Sequence, residues 1–274
     1  MNRQFETPQP IELYVEIGRG SVEVKAVETD TTELDIRGQH ADEVTVTFED
    51  NRLSVVAPKE SGGWFGGKDR ELDVRVTLPT GSDLAVRTGS ADIRVDGQIH
   101  DVDLKTGSGD VTCDTFTGSA RLATGSGDVA VSEAHDELQV KSGSGDISIG
   151  TCVGNLNVST GSGDVEVGST NAKAVVKTGS GDLKVVTAND DVSMSTGSGD
   201  LSIGTARRGR LTLKGASSDV RVGIPAGTPV WTDINTVTGS IRSNLESVGA
   251  PQEGQDHIEL QARTVSGDIT LAQV

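Results

Sequence analysis

The chain is poor in the residues that usually build a large core. Aromatic residues make up 3% of 274 residues, and only 7 prolines occur. The two cysteines, Cys113 and Cys152, are too few for a disulfide framework. The 35 glycines follow no collagen period and accompany abundant valine, threonine, aspartate and serine, which is typical of short strands joined by tight turns. We therefore expect an all-β protein with a thin aliphatic core.

Positive charge is also scarce, and the net charge is −17. This excess disfavours nucleic acid as a partner, because phosphate binding needs a cationic surface, and it disfavours electrostatic docking on anionic lipid. The first ten residues lack the apolar core of a secretory signal. No run approaches the roughly 20 apolar residues of a membrane span. We expect a cytoplasmic protein without a transmembrane segment, with peripheral envelope association as the alternative location.

An 18-residue repeat fills the middle of the chain. Its turn, T-G-S-G-D or a close variant, places an aspartate every 18 residues from Asp92 to Asp200, and a last step of 19 reaches Asp219. An apolar pair with a spacing of two follows each aspartate, and a second pair precedes each turn. A spacing of two puts both members on one strand face. The repeat predicts a parallel β-solenoid whose coils each have two short strands and four inward residues.

The same spacing also fits an antiparallel meander with a nine-residue unit. We favour the solenoid because the true period is 18 and contains two distinguishable turns. The sequence divides into four parts within one continuous domain: an N-terminal irregular β cap (1–57), a glycine-rich aromatic loop (58–71), the regular solenoid (72–223), and C-terminal β coils with a cap (224–274). The last part holds two late echoes of the turn, at residues 237–241 and 265–269.

The row of aspartates is the first candidate site. Stacked strands would place these carboxylates about 4.8 Å apart, and like charges on adjacent strands are destabilising. We expect turn N–H groups and hydroxyls to bond them, with partial neutralisation from a neighbouring row that includes Arg87 and Lys105. The alternative is a Ca²⁺ ladder, although calcium needs six or more oxygens. The ladder would use Asp110, Asp128, Asp146, Asp164, Asp182 and Asp200. We favour the structural role, with no metal and no cofactor.

The adjacent rings Trp64 and Phe65 form the second candidate site. Gly62-Gly63 and Gly66-Gly67 flank them, so the pair could present an apolar tip to a partner or a membrane surface. We favour the other interpretation, a lid that folds over the first regular coil, because exposed paired rings are a liability.

Catalytic motifs are absent from the sequence. The four histidines have no nucleophile or zincin spacing, and the G-S-G turns lack the helix N-terminus on which phosphate loops depend. A glycan-processing solenoid would need a pair of converging acids, which the variable turns do not offer. We therefore expect no enzyme activity.

Several segments resemble one bacterial family. The resemblance covers nearly the whole chain and rests on the iterated T-G-S-G-D-V turn and on four further segments: Val15-Glu16-Ile17-Gly18, Trp64-Phe65, Thr77-Leu78-Pro79-Thr80-Gly81-Ser82 and Thr264-Val265-Ser266-Gly267-Asp268-Ile269. The family is that of the uncharacterised β-solenoid proteins called putative adhesins, related to the toastrack-type domains of envelope-stress proteins. The resemblance implies a β-helical fold, a link to envelope stress or adhesion, and no catalytic residues.

These observations favour a non-catalytic scaffold or interaction module. Its partner would be a protein or another envelope component, and the chain itself would be a monomer or associate weakly end to end. A Ca²⁺-binding or surface-adhesive solenoid is the alternative, and a glycan-processing enzyme is the least favoured interpretation.

Overall fold

The computed structural model describes residues 1–58 and 71–274. These residues form 27 strands and no helix, so none of them lies in a helix that could span a membrane. The chain divides into two compact units, Met1–Asp136 and Glu137–Val274. Each unit consists of two sheets whose neighbouring strands are mostly parallel. The fold is the expected all-β parallel β-solenoid, and the antiparallel meander is excluded.

The first unit contains thirteen strands. One sheet has the order β1-β4-β7-β3-β9-β11-β13, and the other has the order β12-β10-β8-β2-β6-β5. Their bounds are β1 Asn2–Glu6, β2 Glu12–Ile17, β3 Arg19–Val27, β4 Thr31–Arg37, β5 Thr45–Glu49, β6 Arg52–Val56, β7 Glu71–Pro79, β8 Asp83–Thr88, β9 Asp92–Ile99, β10 Val102–Thr106, β11 Val111–Phe116, β12 Ala120–Thr124 and β13 Val129–Ala134.

The second unit contains fourteen strands. One sheet has the order β15-β17-β19-β21-β23-β27-β25, and the other has the order β24-β26-β22-β20-β18-β16-β14. Their bounds are β14 Leu138–Ser142, β15 Ile147–Cys152, β16 Leu156–Ser162, β17 Val165–Thr170, β18 Ala174–Ser180, β19 Leu183–Ala188, β20 Val192–Ser198, β21 Leu201–Ala206, β22 Gly209–Ser217, β23 Val220–Ile224, β24 Val230–Thr238, β25 Ile241–Ser243, β26 Ile258–Ser266 and β27 Ile269–Gln273.

The first unit begins with strands of mixed direction. Strand β4 pairs antiparallel with β1 and β7, and β5 pairs antiparallel with β6. The rings of Phe5 on β1 and Phe48 on β5 pack with their centroids 5.1 Å apart. The coil formed by β2 and β3 does not lie outermost, because β2 pairs with both β6 and β8, and β3 pairs with both β7 and β9.

The last coil in sequence is also inserted between two others. Strand β26 lies between β22 and β24, and β27 lies between β23 and β25. The coil formed by β24 and β25, residues 230–243, is therefore outermost in the second unit, and we call it the terminal coil. Sequence order alone would have placed it one position further inward.

The contacts at the aspartate position follow this spatial order. Asp268 in β26–β27 aligns with Ser240 in the terminal coil. The N–H of Asp268 donates to Oδ1 of Asp219 at 2.9 Å, and the N–H of Ser240 donates to Oδ1 of Asp268 at 2.8 Å. The coil that carries the aspartate thus continues the contact to the next coil, whereas the coil that carries serine ends the row.

The core contains more residues per coil than the repeat predicted. The expected apolar pairs are buried, as Val111, Cys113, Ala120 and Leu122 illustrate. The third residue after Cys113, Phe116, is also fully buried. The same change in alternation, in which two consecutive residues that are not buried precede a buried one, recurs in β13, β15, β17, β19 and β21. The expectation of four inward residues was therefore wrong, because strict alternation stops after the second inward residue of these strands and a further side chain turns inward.

Candidate interaction surface

Packing explains why the T-G-S-G-D turn varies so little. The threonine of T-G-S-G-D is buried, and in two coils its hydroxyl accepts the N–H of the second glycine: Thr106 from Gly109 at 3.0 Å and Thr124 from Gly127 at 2.9 Å. A Cβ atom at Gly127 would clash with the carbonyl oxygen of Gly109. Threonine and glycine are therefore required by the stacking of the turns.

The aspartates of the turn make a repeated backbone contact within each unit. In each contact, Oδ1 of one aspartate accepts the N–H of the aspartate in the next coil, at 2.7–3.0 Å. The first unit contains Asp92, Asp110 and Asp128, and the second contains Asp146, Asp164, Asp182, Asp200 and Asp219. The expected bonds from turn N–H groups are therefore present, and we call this arrangement the aspartate ladder.

The expected neutralisation by the row of Arg87 and Lys105 was wrong for these two cations. Arg87 forms an ion pair with Asp103 at 2.5 Å, and Lys105 lies 4.0 Å from the same residue. Both cations therefore pair with a carboxylate on a strand and not with one in the turn. Near its end the ladder instead pairs with the guanidinium of Arg221, which lies 3.4 Å from Asp200 and 3.5 Å from Asp219.

A cluster of one histidine and two aspartates lies at the second, variable turn. Nδ1 of His100 is 3.1 Å from Oδ1 of Asp83 and 3.8 Å from Oδ1 of Asp101. These three residues could hold a metal ion, but both carboxylates also fix the backbone: Asp83 accepts the N–H of Asp101 at 3.1 Å, and Asp101 accepts the N–H of Ser119 at 2.8 Å. Sequence reasoning treated His100 as isolated, although the 18-residue spacing of Asp83, Asp101 and Ser119 was visible.

The two cysteines are buried free thiols. Burial raises the pKa of Cys113 well above its ordinary range and raises that of Cys152 to about 11. Sγ of Cys152 also donates to the carbonyl of Gly154 at 3.3 Å. A thiol that stays protonated is a poor nucleophile and a poor metal ligand, so neither cysteine is a candidate for chemistry. The expectation that Cys113 points into the core is confirmed.

The terminal coil exposes apolar side chains. Its inward residues Val230 and Ile234 are half-buried, and Ile241 is 46% exposed. Their pairing partners in the neighbouring coil of β26 and β27, Ile258, Ala262 and Ile269, are fully buried. On its outer face Val237 is 72% exposed and Trp231 is 54% exposed. The core of the second unit therefore ends in a coil that no further strand covers among the described residues.

A cavity of about 480 Å³ opens beside this coil. It lies between the inward side of β24 and the segment that follows β25, and its apolar lining includes Ile224, Val230, Ile234, Leu245, Val248 and Leu271. On the outer face, the rings of Trp231 and His257 pack with centroids 5.1 Å apart. The terminal coil thus combines exposed apolar groups, a cavity and an accessible tryptophan.

The sequence did not predict the terminal coil as a site. Its signals were the serine that replaces aspartate at residue 240 and the presence of Trp231 in a chain nearly free of rings. The predicted aromatic site, Trp64 and Phe65, lies outside the described residues. Its role as a tip or a lid stays a prediction.

One family model matches nearly the whole chain. The family model described as Toastrack DUF4097 matches residues 10–186 and again residues 172–273. No curated protein matches the chain.

Solved structures align over the whole length. One is a "putative adhesin" from Bacteroides fragilis, with 12% identity, a TM-score of 0.45, and coverage of 100% of this chain and 96% of that one. Another is a "putative lipid binding protein" from Parabacteroides distasonis, with 15% identity, a TM-score of 0.35, and coverage of 100% and 96% respectively.

Proposed function

The chain belongs to the Toastrack DUF4097 family, and we propose that it is a non-catalytic β-solenoid scaffold that binds a partner through its terminal coil. The observation that carries this proposal is the concentration of exposed large apolar side chains in one region. Of the eight such residues among those described, six lie between residues 231 and 274: Trp231, Val237, Ile241, Val248, Val265 and Val274. Contiguous exposed apolar surface is characteristic of interaction sites.

The conserved elements of the repeat support a scaffold role. The threonine, glycine and aspartate of each turn make contacts that hold one coil on the next. Residues fully engaged in stacking leave the turn ridge without a free set of converging groups, and this supports the absence of catalysis. The same contacts favour a structural aspartate ladder over a row of Ca²⁺ sites, because Oδ1 of each rung is already an acceptor.

The partner that we propose is a protein or another component of the cell envelope. The resemblance to toastrack-type domains of envelope-stress proteins supports this location. The net charge of −17 supports a partner other than nucleic acid, because phosphate binding needs a cationic surface.

A capture experiment with matched variants tests the proposal. Immobilised chain would be incubated with an extract of the native host, and bound proteins would be identified by mass spectrometry. Val237→Lys and Ile241→Lys place charge on the terminal coil, whereas Val186→Lys changes a valine that is 40% exposed on β19. We expect the specific partner to be lost with the first two variants and kept with the third. A partner retained equally by all three would refute the terminal coil as the binding surface.

A further inference from the structure

Strand β24 has an unpaired edge. It pairs with β26 on one side and is the outermost strand of its sheet. The N–H of Ile258 donates to the carbonyl of Pro229 at 3.0 Å. The alternation of a parallel ladder then directs the backbone groups of Val230, Thr232 and Ile234 away from β26. Such a row of N–H and C=O groups is a template for another strand.

This edge lacks the protection that edge strands commonly carry. Charged side chains discourage edge-to-edge pairing, and in the first unit β1 carries Arg3 and Glu6. The nine residues of β24 contain one charged side chain, Asp233. Its carboxylate is engaged by Gln261 and Arg263, each at 3.0 Å. The edge is therefore long, uncharged along its inward side, and open.

Charge also permits two terminal coils to meet. The chain as a whole carries −17, so contact between most pairs of surfaces on two copies would be repulsive. Residues 230–243 contain one acidic residue, Asp233, and one basic residue, Arg242, and their formal charge is zero. Arg242 also forms an ion pair with Asp268 at 3.6 Å. The electrostatic cost of bringing two copies together is thus low at this coil.

The terminal coil ends both sheets of the second unit, because β24 and β25 are the outermost strands of their respective sheets. A single extended peptide can pair with only one of these edges. A second terminal coil offers both edges with the same separation. A twofold axis perpendicular to the sheets sets β24 antiparallel to its own copy and does the same for β25. This self-complementary contact closes after two copies.

We propose that a second copy of this chain covers the terminal coil, and that the two β24 strands pair antiparallel across a twofold axis. The proposal rests on the proposed function of the terminal coil as a binding surface and names the partner as the chain itself. It extends both sheets across the interface and covers Ile241, which is 46% exposed, beside the cavity that the half-buried Val230 and Ile234 line.

Sedimentation velocity of the full chain at increasing concentration tests the dimer. We expect a monomer–dimer equilibrium between the 28.4-kDa chain and twice that mass. Ile234→Lys puts a charge on the inward side of the edge and should weaken the dimer at least about 10-fold, the equivalent of about 1.4 kcal/mol. Val237→Lys should also weaken the dimer. Because the side chain of Val237 is 72% exposed, this variant should fold normally, and it therefore distinguishes a lost interface from misfolding of the Ile234→Lys variant. Val186→Lys is the control, and it should leave the dimer unchanged.

A cysteine scan along β24 tests the orientation. The native thiols are buried, so a single introduced cysteine reports the contact. In an antiparallel twofold pair, one position faces its own copy, and disulfide yield should peak there and fall in both directions along residues 230–238. A dimer that survives Ile234→Lys and Val237→Lys, or a scan without a single maximum, would overturn the proposed interface.

The outcomes separate this inference from the function on which it rests. A chain that stays monomeric at its highest soluble concentration overturns the second copy as occupant. If Val237→Lys then still abolishes capture of a host protein, the terminal coil remains the binding surface for another partner. If the chain dimerises as described and no host protein is captured, self-association is the role of the coil.

Discussion

The backbone N–H of Asp200 donates to Oδ1 of Asp182 at 2.7 Å. The contact joins equivalent positions of adjacent coils, and it recurs across steps of 18, 19 and 49 residues. Its geometry depends on which coil lies next in space and is independent of the length of chain between the coils. The row of carboxylates is tolerated because each charge faces a backbone N–H dipole of the following turn.

Substitutions at Asp182 test whether acceptor or charge matters. Asp182→Asn keeps an oxygen at the Oδ1 position, whereas Asp182→Ala removes the acceptor. We expect the alanine variant to lower the free energy of unfolding by about 1 kcal/mol and the asparagine variant to remain near the wild type. Urea unfolding followed by circular dichroism measures both. Equal losses in the two variants would mean that the negative charge is the stabilising feature.

Calcium should not stabilise the protein. A ligand that binds only the folded state raises stability, by about 2.7 kcal/mol at a hundredfold excess over its Kd. Because we assign the ladder a structural role, the melting temperature should be the same in EDTA and in millimolar Ca²⁺. A saturable rise that Asp182→Ala reduces would instead identify the ladder as a calcium site.

The repeated part of the fold was predictable from the sequence. The same turn recurs in each coil, and an apolar pair, such as Val165 and Val167, identifies the inward face of the strand that follows it. Period and alternation are local properties, so they determine the strands and their parallel register without knowledge of distant contacts.

Other features depended on contacts that no local pattern contains. Phe116 points inward three residues after Cys113, and the equivalent residues in other coils include Ala134, Cys152 and Thr170. A spacing of three does not fit the alternation of a strand, and the residue types differ, so neither property marks this position in the sequence. The insertion of β26 between β22 and β24 joins strands that are far apart in the sequence. The terminal coil was not predicted as a site because exposure there follows from that insertion.

Gly127 should not tolerate a side chain. Its Cβ would overlap the carbonyl of Gly109, which is backbone and cannot rotate away. We expect Gly127→Ala to lower the free energy of unfolding by about 3 kcal/mol, as overpacking does. Gly18→Ala is the matched control, because no atom lies within 4 Å of the Cβ position there. Thermal unfolding compares the two. Similar melting temperatures for both variants would contradict the close stacking of the turns.

Among the described aromatic residues of the first unit, Phe116 should be the costliest to truncate. It is fully buried, and its place in the next coil is taken by Ala134. Phe116→Ala should lower the free energy of unfolding by about 3–5 kcal/mol, whereas Phe116→Leu should cost less because it leaves a smaller cavity. Denaturant titration measures both. A loss below about 1 kcal/mol for alanine would mean that the ring is not packed within the core.

The buried thiols should make stability depend on alkaline pH. Burial raises the pKa of Cys152 from an ordinary value near 9 to about 11, so the folded protein keeps a proton that the unfolded chain releases between these values. The free energy of unfolding should therefore fall as pH rises from about 9 to 11. Cys152→Ala should remove this part of the dependence, and the difference between the two proteins isolates it from other titrating groups.

Thiol reactivity provides the direct measurement. At pH 8 the native protein should react negligibly with a thiol reagent such as DTNB, because both cysteines are buried and protonated. In urea both thiols should react. Air-exposed protein should also show no intramolecular disulfide on non-reducing mass spectrometry. Rapid modification of one thiol in the native state would place that cysteine at the surface and contradict the inward orientation of its side chain.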